Sequence, residues 1–353
     1  MNKVRFGDVV SEVKLNVDRS CNPYAHYVAG DHMDSEDLTI HRYGNFATDD
    51  VGPAFTRIFK PGQILYGSRR TYLKKVAVAS FEGICANTTF VLESKDESVF
   101  DNRLLPFVIL SDKFTQWSIS HSKGSTNPYV LFSDLASFEF TLPPIEEQRV
   151  LADKLWAAYK LKESYKNLLV ATDEMVKSQF IEMFGNPVTN DKNWETMPMK
   201  DIAPEVPSTT KLSGSVWLLN LDMIESHSGQ IIEKVYEDDS NMLSVAPFDT
   251  GNVLYSKLRP YLNKVVVPDE SGYATTELVP LRPNPKKLNS VFLSHLLRGD
   301  NFVNYANSIA TGTKMPRMPL GDLRKFKCIL PPMNMQLHFV EIAEQADKSK
   351  YIN

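Results

Sequence analysis

The residues best suited to chemistry in this chain are cations, and they cluster. Between Val51 and Phe81 the sequence carries Arg57, Lys60, Arg69, Arg70, Lys74 and Lys75 and no carboxylate. Between Lys314 and Lys327 it carries Lys314, Arg317, Arg324, Lys325 and Lys327 against Asp322 alone. The chain as a whole is mildly acidic, with a formal net charge of -4. A basic run on its own is most simply a solvated surface. Bases interleaved with tyrosines are also what neutralises phosphates, and arginine can read guanine through two hydrogen bonds in the major groove.

The first run belongs to "PGQILYGSRRTYLKKVAV" (61–78), which returns as "TGNVLYSKLRPYLNKVVV" (250–267). Gly62, Leu65, Tyr66, Arg70, Tyr72, Leu73, Lys75, Val76 and Val78 are identical to their counterparts from Gly251 to Val267. Leu65, Tyr66, Leu254 and Tyr255 read as core. Arg70/Arg259 and Lys75/Lys264 do not, because a core has no use for the same charge in both copies. A polar loop with Gly-Ser/Thr follows each segment, "GSTNPYVLF" at 124 and "GTKMPRMPL" at 312, offering N–H and hydroxyl groups at close approach. The candidate DNA-contacting set is therefore Ser68, Arg69, Arg70, Tyr72, Lys74, Lys75, Lys123, Ser125 and Thr126 in the first copy. In the second it is Lys257, Arg259, Tyr261, Lys264, Thr313, Lys314 and Arg317.

Catalytic chemistry is not legible. Tyr-Gly-Ser-Arg-Arg lacks P-loop spacing, and there is no GxGxxG. "TNPYV" (126–130) lacks the second proline of an amino-methyltransferase motif, and no glycine-rich cofactor loop accompanies it. "PDES" (268–271) lacks the rest of a restriction-type nuclease core. The seven histidines are solitary in sequence, and Cys21, Cys85 and Cys328 form neither a CxxC nor a cluster. That argues against a zinc site or disulfide framework and fits a reducing cytoplasm. Hydrophobic residues make up 42% and charged residues 23%, a globular composition with no apolar run of membrane-spanning length, so no membrane partner is expected.

The elements that must position these residues are themselves duplicated. "FGDVVSEV" (6–13) matches "MKDIAPEV" (199–206), pairing Glu12 with Glu205, and Ala86 and Thr88 match Ala274 and Thr276. Gly124, Pro128, Asp134, Leu135 and Phe138 match Gly312, Pro316, Asp322, Leu323 and Phe326; "LPPIEEQ" (142–148) matches "LPPMNMQ" (330–336). Each module reads as an α/β (α+β) domain: strand, turn and strand over 64–78, a further strand in "ICANTTFVLES", then a helix in "DNRLLPFVILSDKFTQWSI". From Ile145 to Phe184 there is no Gly or Pro, so a helix about 60 Å long is expected, stopped by Gly185-Asn186-Pro187. Its apolar stripe is read as Leu151, Leu155, Ala158, Leu161, Tyr165 and Leu168, with Leu337 and Val340 on the second copy. An apolar stripe of that length calls for a partner helix.

Two such modules, each closing on LPP-x-x-x-Q, with a long helix ending in "FIEMFGNP", resemble the specificity subunit of type I restriction–modification systems, over essentially the whole chain. The resemblance implies two target recognition domains, 1–143 and 190–331, each reading half of a bipartite site on double-stranded DNA. It implies a central spacer segment, 144–189, and a shorter distal helix, 332–353, packed as an antiparallel coiled coil that sets half-site spacing and docks methyltransferase subunits. It further implies restriction subunits as partners, no catalysis by this chain, and S-adenosylmethionine, ATP and Mg held by the partners. Because the two loops differ, the site is expected to be asymmetric. The second helix is only half as long as the first, which is compatible with a truncation or with completion by another chain, self-association through the short helix included. The alternative reading is a non-catalytic accessory or antagonist that keeps the fold without productive DNA binding.

Overall fold

The structure, a computed structural model, describes residues 2–209, 212–238 and 244–349. It divides into two compact units, Met1–Glu163 and Ser164–Asn353.

In the first unit, strands β1 (Asn2–Arg5) and β2 (Val10–Glu12) flank a short helix α1 (Phe6–Val9). Then come β3 (His26–Val28), β4 (Gly44–Asn45), β5 (Phe55–Phe59), β6 (Ile64–Gly67), β7 (Val76–Val78), β8 (Gly83–Ala86) and β9 (Thr89–Ser94). Helices α2 (Leu105–Leu110), α3 (Asp112–Ser120) and α4 (Phe132–Ala136) precede β10 (Glu139–Leu142) and the long helix α5 (Ile145–Phe184). The sheets run β2-β9-β6-β7, β4-β3-β8-β5 and β1-β10.

The second unit repeats this plan. Its elements are β11 (Thr196–Pro198), α6 (Met199–Ile202), β12 (Ser215–Leu219), β13 (Val235–Asp238), β14 (Val245–Phe248), β15 (Val253–Ser256), β16 (Val265–Val266), β17 (Gly272–Thr275) and β18 (Leu278–Leu281). Helices α7 (Ser290–Arg298), α8 (Asp300–Ile309) and α9 (Leu320–Lys325), strand β19 (Lys327–Ile329) and helix α10 (Met333–Ser349) complete it. Its sheets run β16-β15-β18, β13-β12-β17-β14 and β11-β19; they repeat the first unit's order except that β2 has no counterpart strand, an isolated bridge between Glu205 and Leu281 standing in its place.

Two expected elements divide further. "ICANTTFVLES" is two strands in two sheets: Asn87-Thr88 carries the chain from β8, beside β3 and β5, to β9, beside β6 and β2. The expected helix over 101–119 is α2 and α3, broken at Ser111, whose hydroxyl caps α3 by accepting from the Phe114 N–H. Tyr66, Leu65, Tyr255 and Leu254 are buried, as read from the sequence, and burial pushes the Tyr66 phenol up to about 12. Cys85 and Cys328 are buried free thiols, and burial raises both to about 12.

The LPP-x-x-x-Q motif has one physical meaning in both copies. Gln148 is 1% exposed and Gln336 0%. The Gln148 amide donates to the carbonyls of Val99 (2.9 Å) and Pro143 (2.8 Å) and accepts from the Asp101 N–H (3.0 Å). Gln336 donates to Lys287 (2.9 Å) and Pro331 (2.8 Å) and accepts from the Asn289 N–H (2.9 Å). Each glutamine thus satisfies three buried backbone groups and fastens the start of a long helix to the entry of the module's helical layer.

The start of α5 turns Ala152, Leu155, Trp156 and Tyr159 onto the first unit's core. Trp156 donates to the Arg103 carbonyl at 3.0 Å, and the Tyr159 hydroxyl donates to Asp37 at 2.7 Å. The expected stripe is therefore only partly inward. Leu155 packs inward, whereas Leu151, Ala158, Leu161, Tyr165 and Leu168 are exposed; Leu151 and Ala158 stand one position before Ala152 and Tyr159, which hold the inward face with Leu155 and Trp156. The end of α5 turns Val176, Phe180 and Phe184 onto the second unit's core, where Phe180 and Phe184 meet Phe339 of α10 at ring distances of 5.2 and 5.8 Å. Val340 is in that core and Leu337 is exposed. Nearer the middle of α5, Asp173 lines the same cleft as Asp347, so the two helices run in opposite directions here. Gly185, at φ 73°, ends α5; Trp194 donates to the Phe184 carbonyl, and Lys192 reaches the carbonyls of Glu182 and Met183. This closes the terminus that "FGNP" announces.

Gln148→Leu or Gln336→Leu leaves three buried backbone groups unpaired and should cost its own unit about 3 kcal/mol. Urea unfolding followed in each unit separately checks this; an unshifted midpoint in either variant contradicts the assignment.

Candidate nucleic-acid interface

Both copies of the opening segment form the same strained turn. After β6 the backbone enters the left-handed region at Arg70 (φ 50°), makes a tight turn over Thr71–Leu73, and returns there at Lys74 (φ 47°). After β15 it does so at Arg259 (φ 49°) and Asn263 (φ 50°), around Pro260–Leu262. Such a conformation is unfavourable for any residue with a Cβ, by about 1 kcal/mol or more.

Hydrogen bonds to the polar loop hold each turn in place. The Arg70 N–H donates to the Pro128 carbonyl and the Arg259 N–H to the Pro316 carbonyl, both at 2.7 Å. Val130 donates to Ser68 (3.0 Å) and Met318 to Lys257 (2.9 Å). Each loop closes on itself: Lys123 and Tyr129 exchange two backbone bonds, as do Thr311 and Arg317. Gly124 (φ 86°) and Gly312 (φ 103°) make the bend. The structure thus joins two segments some fifty residues apart into one turn-and-loop patch per unit, with matching backbone bonds despite different side chains.

The side chains sort into exposed and committed groups. Arg69, Arg70, Tyr72, Lys123, Ser125 and Thr126 are exposed in the first patch, and Tyr261, Thr313 and Lys314 in the second. Arg70 is steadied by donating from Nε to Asn127 at 3.2 Å. Lys123 stands 3.1 Å from Asp134. Other expected contacts are engaged within their own unit. Ser68 is buried and donates to the Thr88 carbonyl at 2.6 Å. Lys74 pairs with Glu36 (2.8 Å) and Asp112 (3.4 Å), and the Glu36 bond leads in raising its pKa. Lys75 donates to the Gly30 carbonyl and Lys264 to that of Leu221 (2.6 Å). Lys257 and Arg317 both face Glu277, at 3.9 and 2.8 Å, and that carboxylate raises the Arg317 pKa. Arg259 is only partly exposed. The repeated lysine is thus a structural tie between strand and neighbouring loop, which is why the core-facing segment carries it twice.

Sequence reading passed over three residues that complete the patches: Asn127, Tyr129 (42% exposed) and Met315 (45% exposed). Tyr129 faces the loop rim, and its place inside the quoted loop was the available signal. Arg57, counted in the basic run, is buried against Glu12 at 3.1 Å, and Glu205, the repeat partner of Glu12, holds Arg324 at 2.8 Å.

Among the described residues no helix is long and apolar enough to cross a membrane. Fold and patches together show one scaffold used twice, carrying two non-identical polar surfaces. The family model for the type I restriction modification DNA specificity domain matches residues 37–169 and 191–353, and the chain belongs to that family. Among curated proteins it is 23% identical over 285 residues to the type I restriction enzyme EcoDI specificity subunit of Escherichia coli; the match takes in 67% of this chain and 63% of that protein. Its fold is similar to that of the type I restriction-modification system S subunit from M. genitalium, at 13% identity and a TM-score of 0.57. It is also similar to a chain from a structure of the type I R-M system concerned with complex assembly and conformational transition, at 20% identity and a TM-score of 0.50. Each likeness covers 99% of this chain and 90% of the other.

The strained turn gives a direct check. Arg70→Gly should stabilise the first unit by about 1 kcal/mol, because glycine adopts φ 50° freely, and Arg70→Val should destabilise it by at least as much. Thermal unfolding checks this: a valine variant as stable as the glycine variant, or more so, contradicts the turn geometry.

Proposed function

We propose that this chain is the DNA-reading subunit of a type I restriction–modification complex. Its recognition domains are 1–143 and 190–331, each reading one half of an asymmetric bipartite site on double-stranded DNA. The observation that carries this reading is the duplicated turn-and-loop patch, held by matching backbone bonds but presenting different exposed side chains. In the first unit Arg69, Arg70, Tyr72, Lys123, Ser125, Thr126 and Tyr129 meet phosphates and base edges. In the second Tyr261, Thr313, Lys314 and Met315 do so, with Arg259 behind them. Phosphate contacts set register and base contacts set sequence. Two readers on one chain raise each other's effective concentration on DNA.

The chain performs no catalysis in this reading. Adenine methylation belongs to methyltransferase subunits and ATP-driven cleavage to restriction subunits, which hold S-adenosylmethionine, ATP and Mg; the complex works in the cytoplasm. The spacer segment 144–189 and the distal helix 332–353 form an antiparallel coiled coil on which the methyltransferase docks. The exposed Leu161, Tyr165, Leu168 and Met175 of α5 support this, since their spacing puts them on one side of the helix and an exposed apolar stripe marks an interaction surface.

Arg70→Ala should weaken binding to one half-site and Arg259→Ala to the other, each by about 1–3 kcal/mol. Lys75→Ala should lower stability and leave the salt dependence of binding unchanged. Fluorescence anisotropy with the cognate duplex over a salt series checks all three; unchanged specific binding in both arginine variants contradicts the patch assignment. Leu168→Asp should leave both units folded but reduce methyltransferase co-purification at least tenfold, whereas Leu155→Asp should unfold the first unit. Full complex recovery with Leu168→Asp removes the stripe from the docking surface.

A further inference from the structure

We propose that the first unit holds a divalent transition-metal ion between Asp37, His41 and Glu163. Asp37 and His41 are four residues apart and Glu163 is distant in sequence, yet one ligand atom from each lies within 4.8 Å of the others. His41 Nε2 stands 3.2 Å from Asp37 Oδ2 and 4.0 Å from Glu163 Oε2. Donors around a tetrahedral ion with bonds of about 2.1 Å lie about 3.4 Å apart. Small rotations of the imidazole and the Glu163 carboxylate bridge the difference. Among the described residues no other group of His, Cys, Asp and Glu is set this way.

The surroundings are organised as the outer shell of a metal site is. Asp37 is buried, and its second oxygen, Oδ1, accepts from the Tyr159 hydroxyl (2.7 Å) and the Thr39 N–H (2.9 Å). Those bonds fix the carboxylate so that Oδ2 is directed at His41. Tyr159 is itself held by the Leu38 N–H at 2.9 Å and by Thr39 Oγ1 at 3.1 Å. One imidazole and two carboxylates suit Zn²⁺, Co²⁺ or Mn²⁺ over copper(I), which prefers sulfur. His41, 43% exposed by side chain, leaves the solvent side for water as the fourth ligand. Asp37 and His41 lie on the segment between β3 and β4, and Glu163 lies on α5. The ion therefore staples that segment to the helix, one turn beyond the Tyr159 contact. The competing account is an imidazolium between two carboxylates, with no ion.

The full chain, stripped with EDTA, is titrated with Co²⁺ alone and then with Zn²⁺. The expected result is a d–d absorption that saturates at one equivalent and is displaced by Zn²⁺, with a Zn²⁺-dependent rise in the unfolding temperature of the first unit. His41→Ala and Glu163→Gln should each weaken binding at least tenfold, while His338→Ala, on the exposed face of α10, should leave it intact. Glu163→Gln keeps the shape of the side chain, so it tests the site even if His41→Ala disturbs folding. Absence of one-equivalent saturable binding, or binding that survives both Glu163→Gln and His41→Ala, overturns the proposal.

Discussion

The structure depends on a buried amide. In each unit one glutamine, Gln148 or Gln336, fills three backbone hydrogen-bonding vacancies at the point where the last strand gives way to a helix. A buried amide left without partners costs more than its bonds return, so the side chain and its three partners are specified together. The prolines before it remove competing donors, and the carbonyl of one of them, Pro143 or Pro331, is itself an acceptor. The consequence is directional. The start of the helix is fastened to the module, and Ala152, Leu155, Trp156 and Tyr159 then seat it along the first unit's core.

The duplication separates what the scaffold needs from what the surface can vary. The left-handed turn, its bonds to Pro128 or Pro316, and the lysine tied to Gly30 or Leu221 recur in both units. Of the exposed residues Tyr72 recurs as Tyr261, and most of the others differ. Arg69 has Leu258 opposite it, and Tyr129, on the rim, is replaced by Arg317, which turns to Glu277. A fixed frame with variable tips lets each unit present its own pattern of donors and acceptors without refolding.

Much of this was legible in the sequence, and the losses have physical causes. The repeat, the helix from Ile145 to Phe184 and the burial of Tyr66 and Tyr255 follow from period and composition. That Arg70 and Lys75 behave differently does not. Both are repeated cations a few residues apart, and only the fold reveals that one is exposed at a turn while the other meets a carbonyl. The apolar stripe and the inward face of the helix do not coincide: Leu155 is shared, but Ala152, Trp156 and Tyr159 seat the helix, which depends on the core they meet and not on spacing. His41 looked solitary because Asp37, four residues before it, is one ordinary carboxylate of an irregular segment, and Glu163 is separated from it by most of the unit. Glu12 and Glu205 occupy matching positions yet hold arginines from different elements, a pairing that no spacing rule contains.

The central claim is that one chain supplies sequence specificity through two unequal readers. The most direct measurement is genome-wide adenine methylation by long-read sequencing, in cells carrying the partner methyltransferase with and without this chain. The account predicts a bipartite, asymmetric methylated motif that appears only with the chain and loses definition in one half when Arg70 is replaced by Ala. An unchanged methylome, with the chain expressed and bound to the methyltransferase, would contradict it.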